Sequence, residues 1–157
     1  MKNRQYRQGD VCIERIDALP TNIKPAKLNN GKVILALGEV TGHAHSFVAE
    51  DAEKLTSEKG EEFFRVTGRP LTFQLPILRR WKNQVMVQHP TLGVIEFARC
   101  DVTFEDNQVV VDDDFGLLRH DEHQVHAIPA GLYKGSGMNG TVQQRQYTPA
   151  AIVRAND

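Results

Sequence analysis

Apolar residues in this chain fall mostly into short runs of four to seven, alternating with polar residues or continuous, and the runs end at Gly, Pro, Asn or Asp. That punctuation fits β-strands and leaves little room for amphipathic helices, whose apolar residues return every three or four positions. The spacing predicts strands over 10–16 (DVCIERI), 32–38 (KVILALG), 43–49 (HAHSFVA), 62–68 (EFFRVTG) and 70–76 (PLTFQLP). It predicts further strands over 84–90, 93–98, 101–105, 108–112, 115–120, 124–128, 131–135 and 141–147. Asp106 and Asn107, between two of these runs, tolerate the left-handed backbone of a tight hairpin turn. Helical signal is confined to the end of the chain, where Thr148 can cap, Pro149 fits the first helical position and Ala150 to Val153 continue. The charged stretch 49–62 reads as a solvated loop or a short surface helix.

About a dozen short strands without strand–helix alternation predict an all-β fold, a single small barrel or jelly roll with a short C-terminal helix. No repeat, linker or low-complexity tract divides the 157 residues, so residues 1–157 read as one β-domain. A hydrophobic fraction of 40% and a formal net charge of −1 exclude a surface built mainly to neutralise nucleic-acid phosphates or anionic lipid. The N-terminus is polar and no segment approaches the ~20 apolar residues of a membrane helix, so a cytoplasmic protein without membrane contact is expected. Cys12 and Cys100, far apart and each in an apolar stretch, are expected to be buried free thiols.

Five of the six histidines fall into two groups, GHAH at 42–45 and HDEHQVH at 120–126. On a strand His43 and His45 share a face, about 7 Å apart along the backbone, so their rings can converge on one divalent ion. Asp121 and Glu122 interrupt the apolar pattern, which predicts a turn at 120–123 before a strand at 124–128. In such a turn His120 and His123 reach one side. Neither group alone can close a coordination sphere, and distant strands of an all-β fold are routinely neighbours. A shared metal site of His43, His45, His120 and His123 is therefore expected, with Glu122 or Glu50 as an oxygen ligand or general base. Zinc, iron, nickel and manganese all accept imidazole. His89, before a proline, reads as a turn histidine, and the place of His126 is open.

His43 and His45, followed after four intervening residues by Glu50, resemble the first motif of the cupins, and IPAGLY (128–133) resembles the turn of the second. That resemblance implies a metal held inside a small β-barrel. The cupin histidine follows the second-motif turn, whereas the histidines here precede it, so no further ligand is carried over. The chain also resembles a group of small bacterial and phage-type proteins through GEVTGHAH (38–45), HDEH with IPAGLY (120–133) and QRQYTP (144–149). This second resemblance implies a histidine-rich β-domain without a defined reaction, and an apolar residue at the place of His126. Against it, residues 79–115 are longer than needed and read as an added hairpin or lid.

Other features weigh less. VDDDFG (111–116) reads as a solvated turn and KGSGMNG (134–140) as a flexible loop. LRRWK (78–82) joins three cations to a tryptophan, the elements of single-strand nucleic-acid contact, but also those of an ordinary solvated strand edge. The expected function is a metal-dependent enzyme or a small-molecule binder. The alternatives are a non-enzymatic module that binds protein or RNA, for instance in phage–host or stress biology, and metal-free histidine acid–base catalysis. Exposed strand edges are compatible with a homodimer.

Overall fold

A computed structural model of the chain describes residues 4–28, 31–37 (backbone only at 36 and 37), 44–121 and 123–144. The alternating runs form strands there, except that the described part of the predicted strand 141–147 makes only an isolated bridge, Gln143 to Val11. In chain order these are β1 (Gln5–Gln8), β2 (Val11–Ile16), β3 (Ile23–Pro25), β4 (Lys32–Leu37) and β5 (Ala44–Val48). Next come β6 (Ala52–Ser57), β7 (Glu62–Val66), β8 (Arg69–Pro76), β9 (Arg79–Arg80) and β10 (Gln84–His89). The last are β11 (Gly93–Ala98), β12 (Thr103–Glu105), β13 (Gln108–Leu118), β14 (Val125–Pro129) and β15 (Gly131–Gly135). Among the described residues the only helical turns are three-residue 3₁₀ segments at Arg99–Asp101 and Met138–Gly140. The chain is all-β, with a curled, half-barrel sheet. No described helix is long and apolar enough to cross a membrane. The predicted C-terminal helix falls outside the described residues.

One sheet runs β1-β2-β15-β7-β6-β3, and a second runs β12-β13-β14-β11-β10-β9 with β8 also paired to β13. The hairpin β4–β5 joins the second sheet through reciprocal backbone bonds between Ser46 and Arg119. The tight turn between β12 and β13 is at Asp106 and Asn107, with Asp106 left-handed at φ 55°. Over Phe115–Leu118, successive residues of β13 face opposite ways, and both ways are buried. Phe115 and Leu117 enter a core with Val85, Val87, Ile95 and Phe97, while Leu118 enters another with Phe47, Phe64, Val66 and Tyr133. Ala127 and Ile128 on β14 divide in the same way. Strands β13 and β14 are thus a wall shared by two cores. Residues 79–115 carry β9 to β12 and the first part of β13, and supply much of the second core.

Three expectations need correction. The charged stretch 49–62 contains β6, whose Ala52 and Leu55 are buried. Its charges are cross-strand partners: Glu53 lies opposite Arg65 and pairs with it, and Lys54 pairs with Glu62. The acids at 112–114 lie in the middle of β13 and not in a turn, because β8 pairs with that strand continuously from Gln108 to Phe115. Cys12 is buried as expected, but Cys100 is exposed in the 3₁₀ turn that leaves β11; both are free thiols.

Gly116 sits where the β13 wall meets the first core. A Cβ there would come within 2.8 Å of Val66 Cγ1 and 3.2 Å of a Phe47 ring carbon. Both neighbours are buried and the valine is stiff at χ1, so the strain has no easy outlet. Gly116→Ala is expected to cost about 1–3 kcal/mol, read as a lowered urea midpoint with an unchanged slope.

Candidate functional site: a three-histidine cluster

The backbone bonds between Ser46 and Arg119 set the register of two segments about 75 residues apart in the chain. In an antiparallel pairing, Ser46 opposite Arg119 puts His45 opposite His120. Directly opposed residues of such a pair have Cβ atoms about 5 Å apart. The ring centroids of His45 and His120 are 4.2 Å apart. After His120 the chain turns before entering β14, and the turn returns His123 to the same place. Its ring centroid is 4.7 Å from that of His120 and 5.9 Å from that of His45. His45 and His120 are buried, and His123 is half-buried. Three of the four predicted imidazoles therefore meet. His43 and Glu122 fall outside the described residues.

Gln8 holds this cluster together, and the sequence reading missed it. Its side chain is almost fully buried. Nε2 donates at 2.9 Å to the carbonyls of both Leu118 and Gln124, which bracket the turn carrying His120 and His123. Those two bonds use both amide hydrogens and fix the orientation of the group. Oε1, an acceptor only, then faces His45 Nδ1 at 2.9 Å. Nδ1 must carry a proton to bridge that distance. In the neutral ring, Nε2 is consequently the nitrogen with the lone pair, the form required of a ligand or a base. The signal was present in alternation: in QYRQ, Tyr6 and Gln8 face inward and Gln5 and Arg7 outward. An inward glutamine in a polar N-terminal stretch does not advertise itself.

The remaining candidates lie elsewhere. Glu50 is exposed in the turn at the far end of β5 from His45, and the structure does not bring it to the three rings. His126 Nε2 bonds Glu96 Oε2 at 2.7 Å across the parallel β11–β14 pair. His89 Nδ1 accepts the backbone N–H groups of Thr91 and Leu92, as a turn histidine does. The three clustered rings are inclined to one another by 20–46° and partly stacked. Among the described residues no group of three or more His, Cys, Asp or Glu side chains has its donor atoms set to hold a metal ion.

Residues 7–99 match a family described as a domain of unknown function, DUF8820, over more than half of the chain. The chain belongs to the DUF8820 family. The DUF8820 segment includes Gln8, His45 and the hairpin β4–β5, and stops before the turn that supplies His120 and His123. No curated protein and no solved structure matches the chain.

Proposed function

We propose that this DUF8820 protein is a metal-dependent enzyme or small-molecule binder centred on His45, His120 and His123. The observation that carries the reading is the meeting of three imidazoles from two distant segments beside a buried amide that fixes the tautomer of one of them. Metal-binding histidines characteristically have their second nitrogen held in this way. His43, two residues before His45, is proposed as a fourth imidazole, and Glu122 as a carboxylate ligand or base. The donor set suits zinc, iron, nickel or manganese. Such an ion supplies Lewis acidity toward a bound oxygen. The chain's own part is to hold neutral His45 in the tautomer that presents the Nε2 lone pair, through Gln8, and to shield the rings from bulk water. The cupin-like reading of the barrel, with its metal, belongs to the same proposal, and two free thiols suit a cytoplasmic setting.

The test is metal analysis of tag-free protein after loading with each ion in turn and desalting. About one equivalent of a first-row metal, removed by chelator and absent from a His45→Ala/His120→Ala variant, is the expected result. Substoichiometric metal, unchanged in that variant, would reject the reading. The partial stacking of the rings favours a second reading, histidine acid–base chemistry without metal. It predicts chelator-insensitive activity that follows imidazole ionisation.

A further inference from the structure

A cleft of about 690 Å³, lined by residues of β1, the 82–84 loop, the 99–101 turn and β12, opens where the first strand meets the second sheet. Arg4, Lys82 and Arg99 contribute cationic groups to it, and the Phe104 ring lies in its wall. The guanidinium carbons of Arg99 and Arg80 lie 5.5 and 5.7 Å from the Phe104 ring centroid, and that of Arg79 lies 4.9 Å from the centroid of the exposed Trp81. Arg99 Nη1 donates at 3.2 Å to the carbonyls of Trp81 and Lys82, which ties the guanidinium to the loop and leaves its other edge available to a ligand. Asp101, the acid of the 99–101 turn, is occupied by Arg4 and by the Tyr6 hydroxyl at 3.0 Å. Burial is the main cause that raises both the Asp101 carboxyl and the Tyr6 phenol above their ordinary ranges.

Guanidinium groups held beside an aromatic ring lose less freedom when they bind an anion. They offer forked donors to phosphate and flat faces to a base. The charge is local: in a chain of net charge −1, Arg4, Lys82 and Arg99 line one cleft and Arg80 lies beside its Phe104 wall. The volume suits a ligand of nucleotide size. We propose that this cleft binds a nucleotide unit, a phosphate ester carrying a planar base, presented either free or as part of a single strand. Arg80, Lys82 and Arg99 engage the phosphate, and the base stacks on the Phe104–arginine layer. The site shares no lining residue with the histidine cluster and does not depend on metal.

The experiment measures fluorescence anisotropy with labelled dT12 and U12 oligonucleotides, and calorimetry with AMP, on the full chain at low salt. Binding in either arm is expected, and the arm identifies the source: oligonucleotide alone means a strand, AMP alone a free nucleotide. For the strand, log affinity should fall with log salt with a slope of about −2, for three phosphate contacts. Lys82→Ala, an exposed position, should flatten that slope by about 0.7 and weaken both ligands. Phe104→Leu should weaken binding about tenfold through lost stacking. If Arg99→Ala disturbs the loop it bonds, Lys82→Glu and Arg80→Ala give the charge test without it. No binding to either ligand, or binding that Lys82→Glu and Arg80→Ala leave unchanged, overturns the proposal.

Discussion

Replacing His45 by alanine is expected to weaken first-row metal binding by at least about a hundredfold, more than any other single change among the described residues. His45 is the imidazole whose donor nitrogen is determined by its surroundings, since Nδ1–H donates to Gln8 Oε1 and leaves Nε2 for a ligand. Gln8→Ala should lower the affinity about 10- to 100-fold without removing a ligand, because it frees the tautomer and the ring. The same change also leaves the carbonyls of Leu118 and Gln124 without their donor in a largely buried place, which adds a stability cost of about 1–3 kcal/mol. Affinity and melting temperature therefore move together for Gln8. The two effects on affinity should not add: in the double variant, removal of Gln8 should cost little more once His45 is gone. His126→Ala is the control, since that ring belongs to the pair with Glu96 and its loss should leave metal affinity unchanged. Competition titration against a chromophoric chelator measures all four variants. Equal losses for His45 and His126 would mean that the clustered rings have no special part in binding.

What the sequence disclosed and what it hid follow one physical division. The two histidine groups were legible because residue type and spacing carry the information: a histidine pair on a strand, and a polar interruption that forces a turn at 120–123. Their meeting was a matter of topology, since the Ser46–Arg119 pairing is the kind of long-range contact that no local pattern encodes. Gln8 lay further out of reach, because its partners are carbonyls 110 and 116 residues away, and any residue type can supply a carbonyl. Strand β6 was concealed for another reason. Glu53 and Lys54 resemble a solvated loop until Arg65 and Glu62 stand beside them on β7. The acids at 112–114 misled in the same way, as exposed side chains on a strand whose backbone is fully paired to β8.

The largest stability loss is expected at an acid that attracted no attention in the sequence. Asp51 is buried in the turn between β5 and β6, and its oxygens join three separate parts of the chain. Oδ1 accepts Arg69 Nε at 3.2 Å and Nη2 at 3.0 Å, and Oδ2 accepts Nη2 at 2.9 Å and the backbone N–H of Leu117 at 3.1 Å. The Asp51 carbonyl also takes the N–H groups of Thr67 and Gly68. Arg69→Ala leaves a buried carboxylate with the Leu117 N–H in place of a forked guanidinium, a situation that costs about 3–5 kcal/mol in comparable pairs. The Arg69 side chain is 35% exposed, so solvent already screens part of the pair and the lower end, about 3 kcal/mol, applies. For a chain of this length that lowers the melting temperature by roughly 6–12 °C. Asp51→Asn should cost less, about 1–2 kcal/mol, because its amide oxygen still accepts from Leu117 while the freed guanidinium turns to water. Asp51→Asn/Arg69→Ala should then be more stable than Arg69→Ala alone, since the second change removes the stranded charge. Urea melts of the three variants decide it: a double variant less stable than Arg69→Ala would mean that the cost lies in lost packing of the arginine stem and not in the buried charge.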